Sequence, residues 1–163
     1  MSKLFIPTNF KIPISFDVKD FHICPLDRNV AELDFEAVMS CHNELRGVFG
    51  PNDSWPKPHM TLADSIASLL VHEDEFKNRE AFAYSVLTTD KNICLGSIYI
   101  DPCNLKQYEC EVYFWVRSDR IDLENKLFAF ISSWLQKEWP FKNVVYPGRS
   151  VSWKNWEQQL KVV

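Results

Sequence analysis

Two polar side chains that lie on otherwise apolar helix faces are the first residues in this sequence that could carry chemistry. His42 lies among apolar residues at helical spacing, and Glu73 lies in a second run of the same kind. A carboxylate buried in such a face has a raised pKa and can act as a base. The alternative is that both groups are hydrogen-bonded structural side chains or lie at a helix edge. The sequence leaves this choice open.

A third candidate lies in the strand-like run ECEVYFWVR, which ends at Arg117. Strand alternation puts four of its side chains on one face: Glu111, Tyr113, Trp115 and Arg117. Tyr99, in the preceding strand-like run, adds a further ring, and these aromatic residues could line a ligand groove. The alternative for Glu111 is a solvated strand carboxylate that pairs with Arg117.

Several other kinds of site have no support in the sequence. The four histidines lack the spacing of metal ligands, and no G-x-S-x-G, P-loop or dinucleotide motif occurs. The five cysteines are an odd number without a C-x-x-C pair: Cys24, Cys41, Cys94, Cys103 and Cys110. This usage is typical of reduced, buried thiols. We therefore expect neither a metal site nor nucleophilic catalysis, and we exclude an NTPase or a Rossmann oxidoreductase.

Composition and charge limit the class of protein further. The chain has 163 residues, of which 46% are hydrophobic and 25% charged, as expected for one globular domain spanning 1–163. The net charge of −4, without a long Lys/Arg block, argues against nucleic-acid partners. No apolar run is long enough for a signal peptide or a membrane span, so we expect a cytoplasmic location without a membrane partner.

The periodicity of the apolar residues predicts the elements that position these side chains. Strands are predicted over 10–18, 21–26, 82–88, 93–100, 109–117 and 144–146, and Pro13 should confine the first of them to a sheet edge. Helices are predicted from Asp34, as the cap, to Gly47, from Thr61 to about Arg79, over 122–138 and over 152–160. Residues 1–20 would then hold an extra edge strand, and 150–163 a short terminal helix. The order is that of a mixed α/β protein in which helix 122–138 joins two parallel strands.

The run Cys110-Glu111-Val112-Tyr113-Phe114-Trp115-Val116, with the helix after it, resembles the fourth strand and third helix of the GNAT acyltransferase superfamily. The ribosomal-protein acetyltransferase branch of that family often has A-E-I-G-Y-W-V there. The run LGSIYI at 95–100 is similar to the family's third strand, and the segment 70–87 and the WPF–YPG ending resemble a group of bacterial GNAT-like proteins. The likeness covers roughly residues 21–149. It implies a three-layer α/β/α fold and transfer of an acetyl or other acyl group from coenzyme A to a small-molecule or peptide amine.

The resemblance also implies roles for residues of this chain. Glu111 matches the glutamate that faces the acceptor amine and would serve as general base. The backbone of Phe114, Trp115 and Val116 would pair with the pantetheine arm, and one N–H group would polarise the thioester carbonyl. Two arginines are candidates for the coenzyme site: Arg117 and Arg120. Four residues are candidates for the acceptor side: Trp55, Glu73, Tyr99 and Tyr113. For Trp55 the alternative, a packing residue of the core or surface, is the more common role of a tryptophan.

The chain departs from the family pattern where the coenzyme pyrophosphate should bind. The family has R/Q-x-x-G-x-G/A at this point, whereas residues 117–126 contain no glycine and carry acidic groups at the predicted helix start: Asp119, Asp122 and Glu124. Only seventeen residues follow Tyr146, where the family usually has two more strands. The alternative function is therefore a non-catalytic GNAT-fold module that binds a ligand or protein and has lost the coenzyme loop. If acetyl-CoA is the co-substrate, we expect it to bind weakly.

Overall fold

The computed structural model describes residues 3–162, and its centre is a six-stranded sheet whose strands lie in chain order. The strands are β1 (Phe16–Val18), β2 (Phe21–Pro25), β3 (Phe82–Leu87), β4 (Cys94–Pro102), β5 (Cys110–Val116) and β6 (Val144–Val145). The helices are α1 (Ala31–Ser40), α2 (Leu62–Lys77), α3 (Glu124–Glu138) and α4 (Trp153–Val162). The predicted order of strands and helices is confirmed.

The last two strands of the sheet are parallel, and all the other neighbours are antiparallel. This follows from α3, which carries the chain back across the sheet between β5 and β6. The parallel pairing is short, because it joins only Cys110 to Val144 and Glu111 to Val145. The rest of β5 is therefore bordered by a strand only on its β4 side within residues 3–162.

The two faces of the sheet bury two separate cores. On one face, Tyr99 and Trp115 pack with α1 and with Leu69 of α2. On the other face, Phe114 packs with α3 and with the irregular segment before β1. The alternation predicted for β5 is thereby confirmed. Helix α4 adds a small third cluster around Trp156. The result is a three-layer α/β/α arrangement.

The start of α1 differs from the prediction because another aspartate provides the cap. The Asp27 carboxylate accepts a hydrogen bond from the Asn29 N–H at 2.9 Å and begins a 3-10 turn, Arg28–Val30, that continues into α1. Asp34 is therefore wrong as a cap and lies one turn inside the helix, where it is buried. The capping box of α2 is confirmed, since the Asp64 N–H donates to the Thr61 hydroxyl at 3.1 Å. This helix ends at Lys77, two residues earlier than predicted.

The edge strand predicted over 10–18 is wrong in length. Only Phe16–Val18 pair with β2, in the register Phe16 to Ile23. The partner strand ends at Pro25, which has no N–H to donate, so the residues before Phe16 have no ladder to join. They lie instead across the α3 side of the sheet, where Ile6 is buried.

The close approach of β4 and β5 at Gly96 gives a test of this sheet. A Cβ at this position would lie 2.0 Å from the carbonyl oxygen of Trp115, so the two strands would have to separate. We expect Gly96→Ala to lower the free energy of unfolding by about 3 kcal/mol. Urea denaturation would measure the change. Ser85→Ala, on the neighbouring strand β3, is the control and should change it by less than about 1 kcal/mol. An equal loss in both variants would contradict the close approach of the two strands at Gly96.

Candidate active site

A cavity of about 270 Å³ opens between the sheet and the α1–α2 layer. Its walls are aromatic and aliphatic, and include Phe49 and Trp55 from the segment between the two helices, Leu69 from α2 and Tyr99 from β4. Its polar groups include three carboxylates, Asp34, Asp53 and Asp101. A concave site in which apolar walls surround placed polar groups is the usual form of a small-molecule site, and this cavity is more polar than most.

Asp34 is the most unusual group in the cavity. It is only 5% exposed, and its Oδ1 has no hydrogen-bond partner. The Ser65 hydroxyl lies 3.5 Å from Oδ2. Burial raises the pKa of Asp34 to about 7, and Ser65 and Ser97 offset only part of this effect. The sequence signal for this residue is its spacing from Ala37, Val38 and Cys41, which places an acid on the buried face of α1.

A second group of acids lies further along the sheet, where Asp101 on β4 is the cross-strand partner of Glu111 on β5. Burial, followed by the charge of Asp101, raises the pKa of Glu111 to about 7. Burial, followed by the charge of Glu75 on α2, raises the pKa of Asp101 to about 6. Each of these carboxylates, when ionised, disfavours ionisation of its neighbour. Glu111 is therefore partly protonated near neutral pH.

The aromatic candidates from the sequence come together beside these acids. Trp115 donates a hydrogen bond from Nε1 to the Tyr99 hydroxyl at 3.1 Å, and both residues are buried. Phe49 bridges Trp55 and Tyr113, with ring centroids 5.3 Å and 5.4 Å away. Burial raises the pKa of Tyr99 and of Tyr113, so both hydroxyls stay protonated at neutral pH.

The edge of β5 that faces β6 is open beyond Glu111, but a side chain of this chain covers part of it. The Arg117 N–H donates to Leu95 on β4, so by strand alternation Trp115 also directs its backbone groups towards β4, whereas Phe114 and Val116 direct theirs to the open edge. Arg149 Nη2 donates to the Phe114 carbonyl oxygen at 3.0 Å, and its guanidinium lies 3.7 Å over the Phe114 ring.

The segment between β5 and α3 is occupied by internal ion pairs. Arg117 is buried and donates to both carboxylate oxygens of Glu36, at 2.8 Å and 3.0 Å, and to Asp119 at 2.7 Å. Arg120 is half-exposed and lies 3.8 Å from Asp122. The residues present do not fit a pyrophosphate, because the buried arginine is already neutralised and the α3 start adds carboxylates. The open edge of β5, in contrast, offers backbone groups that suit a pantetheine arm.

The remaining candidates lie elsewhere. Glu73 pairs with Arg28 at 3.1 Å near the surface and is not part of the cavity wall. His42 lies just after α1, and its ring Nδ1 is 3.4 Å from the carbonyl oxygen of Met39. The five cysteines are free thiols. Across residues 3–162 no group of three or more metal-ligating side chains is placed to hold an ion, and no helix there is both long and apolar enough to span a membrane.

Comparison with known proteins defines the class of fold. No family model and no curated protein matches the sequence. Among solved structures, the ribosomal-protein-S5-alanine acetyltransferase from Vibrio fischeri is similar to this chain at 15% identity and a TM-score of 0.56, over 77% of this chain and 68% of that one. A candidate GNAT-family acetyltransferase from Bordetella pertussis is 11% identical with a TM-score of 0.57, over 92% of this chain and 87% of that one.

A third similar structure was solved with a ligand. It is the ribosomal L7/L12 alpha-N-protein acetyltransferase RimL in complex with coenzyme A, 11% identical with a TM-score of 0.56 over 77% of this chain and 68% of that one. At these identities the likeness is one of fold. The chain thus has the fold of the GNAT acetyltransferases, as the sequence predicted.

The raised pKa of Asp34 predicts how stability depends on pH. The folded protein holds a proton on Asp34 that the unfolded chain releases between pH 3.8 and about 7, so the contribution of this group to the free energy of unfolding falls as pH rises through that window. We therefore expect Asp34→Asn to stabilise the protein by about 4 kcal/mol at pH 8 and to have little effect at pH 4. Urea denaturation at both pH values would measure this.

The control for this experiment is Glu32→Gln, which removes the same charge from an exposed position of α1. It should change the free energy of unfolding by less than about 0.5 kcal/mol at either pH. Asp101 and Glu111 titrate in the same direction in every variant, so their contributions to the free energy of unfolding cancel when the variants are compared. If Asp34→Asn raises the free energy of unfolding equally at pH 4 and pH 8, ionisation of Asp34 does not destabilise the folded protein, and its pKa is not raised by burial.

Proposed function

We propose that the protein is an N-acyltransferase that moves an acyl group from a pantetheine thioester, such as acetyl-CoA, to an amine bound in the α1–α2 cavity. The observation that carries the proposal is the position of Glu111. This residue ends the parallel pairing of β5 with β6, and it is the cross-strand partner of Asp101, which lines the cavity. A carboxylate whose pKa is about 7 then stands between the cavity and the open strand edge. The GNAT fold of the chain supports the same function.

In this mechanism Glu111 acts as the general base. The amine nitrogen attacks the thioester carbonyl carbon, its N–C bond forms as the C–S bond breaks, and the thiolate leaves. The proton lost by the nitrogen passes to Glu111, directly or through one water molecule. A base with a pKa close to the working pH combines a useful ionised fraction with enough basicity to accept that proton. Asp101 supports this role, because its charge raises the pKa of Glu111.

The thioester arm would lie along the open edge of β5. The N–H groups of Phe114 and Val116 face that edge, and one of them would donate to the carbonyl oxygen as negative charge develops there. Arg149 must leave the Phe114 carbonyl oxygen for the arm to pair with the same backbone. We further expect a cytoplasmic location and a small-molecule or peptide acceptor, without nucleic-acid or membrane partners.

The first test removes the proposed base. Glu111→Gln keeps the size of the side chain and removes its charge, so acyl transfer to a panel of amines should fall by about 10²–10⁴-fold. Donor binding should be unchanged, since no donor contact is assigned to this side chain. The matched control is Glu138→Gln at the exposed end of α3, which should leave the rate of transfer unaltered. A wild-type protein that is folded but transfers no acyl group to any amine would overturn the proposal.

The second test concerns the thioester donor. Because the start of α3 is acidic and Arg117 is already paired, the ADP part of coenzyme A should add little affinity. We expect acetyl-CoA to bind with a dissociation constant above roughly 100 μM, and within about tenfold of that of S-acetylpantetheine, in calorimetric titrations. Asp122→Asn, which removes one exposed charge near the start of α3, should tighten acetyl-CoA binding but not S-acetylpantetheine binding. Sub-micromolar binding of acetyl-CoA would contradict this account of the loop.

A second candidate function is suggested by two contacts that arginine side chains make within this chain. Arg117 and Arg149 both bind groups of this chain at places where a coenzyme would need free partners. A GNAT-fold module that binds a ligand in the cavity without transferring an acyl group would show such pairing. The two functions differ in one result, because a binding module would take up an amine in the cavity yet show no turnover with either donor.

A further inference from the structure

The charges around the cavity point to the ligand that it takes. Asp34 lies at one end, with its Oδ1 unpartnered and with the buried, unpaired hydroxyl of Ser97 beside it. A buried carboxylate without a counter-charge is unfavourable, and a bound cation would offset much of this penalty. Among the residues of the cavity wall described within 3–162 there is neither a lysine nor an arginine. Within this wall, Asp34 can be neutral by holding a proton, and a cationic ligand is the source of positive charge that would keep it ionised.

The other end of the cavity is also acidic. Asp101 lines it there, and the neighbouring carboxylates of Glu75 and Glu111 raise the negative charge around it. Asp53 adds a further exposed acid to the wall. Burial lowers the pKa of His72, so this side chain stays neutral at pH 7 and supplies no compensating charge.

The wall between the two ends suits an alkyl chain. Phe49, Trp55 and Tyr99 line it, and the Phe49 and Tyr99 rings meet edge to face at 4.9 Å. Aromatic faces bind methylene groups and attract ammonium groups. Ser97, next to Asp34, and Asp101 lie on the same face of β4, four residues or about 13 Å apart. Both carboxylate side chains reach into the cavity, so the gap between their oxygens is shorter than the separation of the backbone positions. An extended diamine of moderate length can bridge that gap.

We propose that the cavity binds a linear diamine in its diammonium form, with one ammonium group paired with Asp34 and the other held at Asp101. This binding does not depend on acyl transfer. The further step rests on the function proposed above: the ammonium group at Asp101 loses one proton to solvent, and the neutral amine attacks the thioester while its second proton passes to Glu111.

Calorimetric titration of the full chain, with no thioester present, tests the binding. The probes are hexane-1,6-diamine, hexylamine and hexan-1-ol, which share one alkyl chain and carry two, one and no ammonium groups at pH 7. We expect the diamine to bind at least about tenfold more tightly than hexylamine, and hexan-1-ol to bind more weakly than either amine. A diamine that binds no better than hexylamine would overturn the proposal, and so would a wild-type protein that binds neither amine.

Two isosteric variants locate the ammonium groups. Asp34→Asn and Asp101→Asn should each remove one partner, so the diamine should keep less than about a threefold advantage over hexylamine in either variant. Glu32→Gln, on the exposed face of α1, should keep the full advantage. Ser68→Trp adds a ring at an exposed position of the cavity wall and should weaken both amines without disturbing the core. Retention of the diamine advantage in Asp34→Asn would overturn the assignment.

The design separates this inference from the proposed function. If the diamine binds through Asp34 but is never acylated, the cation site stands and the acyltransferase assignment fails. If hexane-1,6-diamine is acylated with Glu111 as base and Asp34→Asn changes neither its KM nor its rate, the acyltransferase assignment stands and the diamine site is wrong.

Discussion

The ion pair between Arg117 and Glu36 fixes the layer that covers the candidate site. Arg117 follows β5, donates to Glu36 on α1 and to the carbonyl oxygen of Cys94 on β4, and thereby joins a helix to two strands. The arginine is buried, so its charge requires these partners. With Glu36 held at the sheet, the rotation of α1 about its axis is set. Asp34, two residues earlier on that helix, is then directed over Ser97 rather than into solvent.

The same pairing explains why the molecule has the fold of an acetyltransferase without the usual coenzyme loop. In this chain the arginine that follows β5 stabilises the contact between α1 and the sheet. The acidic residues after it provide partners for that arginine and for Arg120. A segment used in this way to hold the structure together presents a diphosphate with a buried arginine that is already paired and with several carboxylates. What the fold still offers is the open edge of β5 on one side of Glu111 and the cavity on the other.

The order of the elements, the two faces of β5 and the capping box of α2 could be predicted from the sequence, because they depend on periodicity and on local hydrogen bonds. Asp34 was predicted as a helix cap, since an aspartate before an apolar run usually is one, and only the cap at Asp27 places it inside the helix. Arg149 could not be assigned a role at all. Its contact with Phe114 depends on where the chain returns after β6, which is a tertiary feature that no local pattern encodes.

The turn that leads from β6 to α4 places the Arg149 side chain over the open strand edge. Gly148 adopts a φ of +82°, and a Cβ there would come within 2.5 Å of the Trp153 indole, so the turn is packed without spare room. Trp153 in turn stacks on Tyr113. Arg149, which lies between Gly148 and Trp153 in the sequence, covers Phe114. A ligand that pairs with β5 therefore has to compete with a guanidinium of the protein itself. Its association rate would be limited by how often that group swings away, and would not simply follow the rate of diffusional encounter.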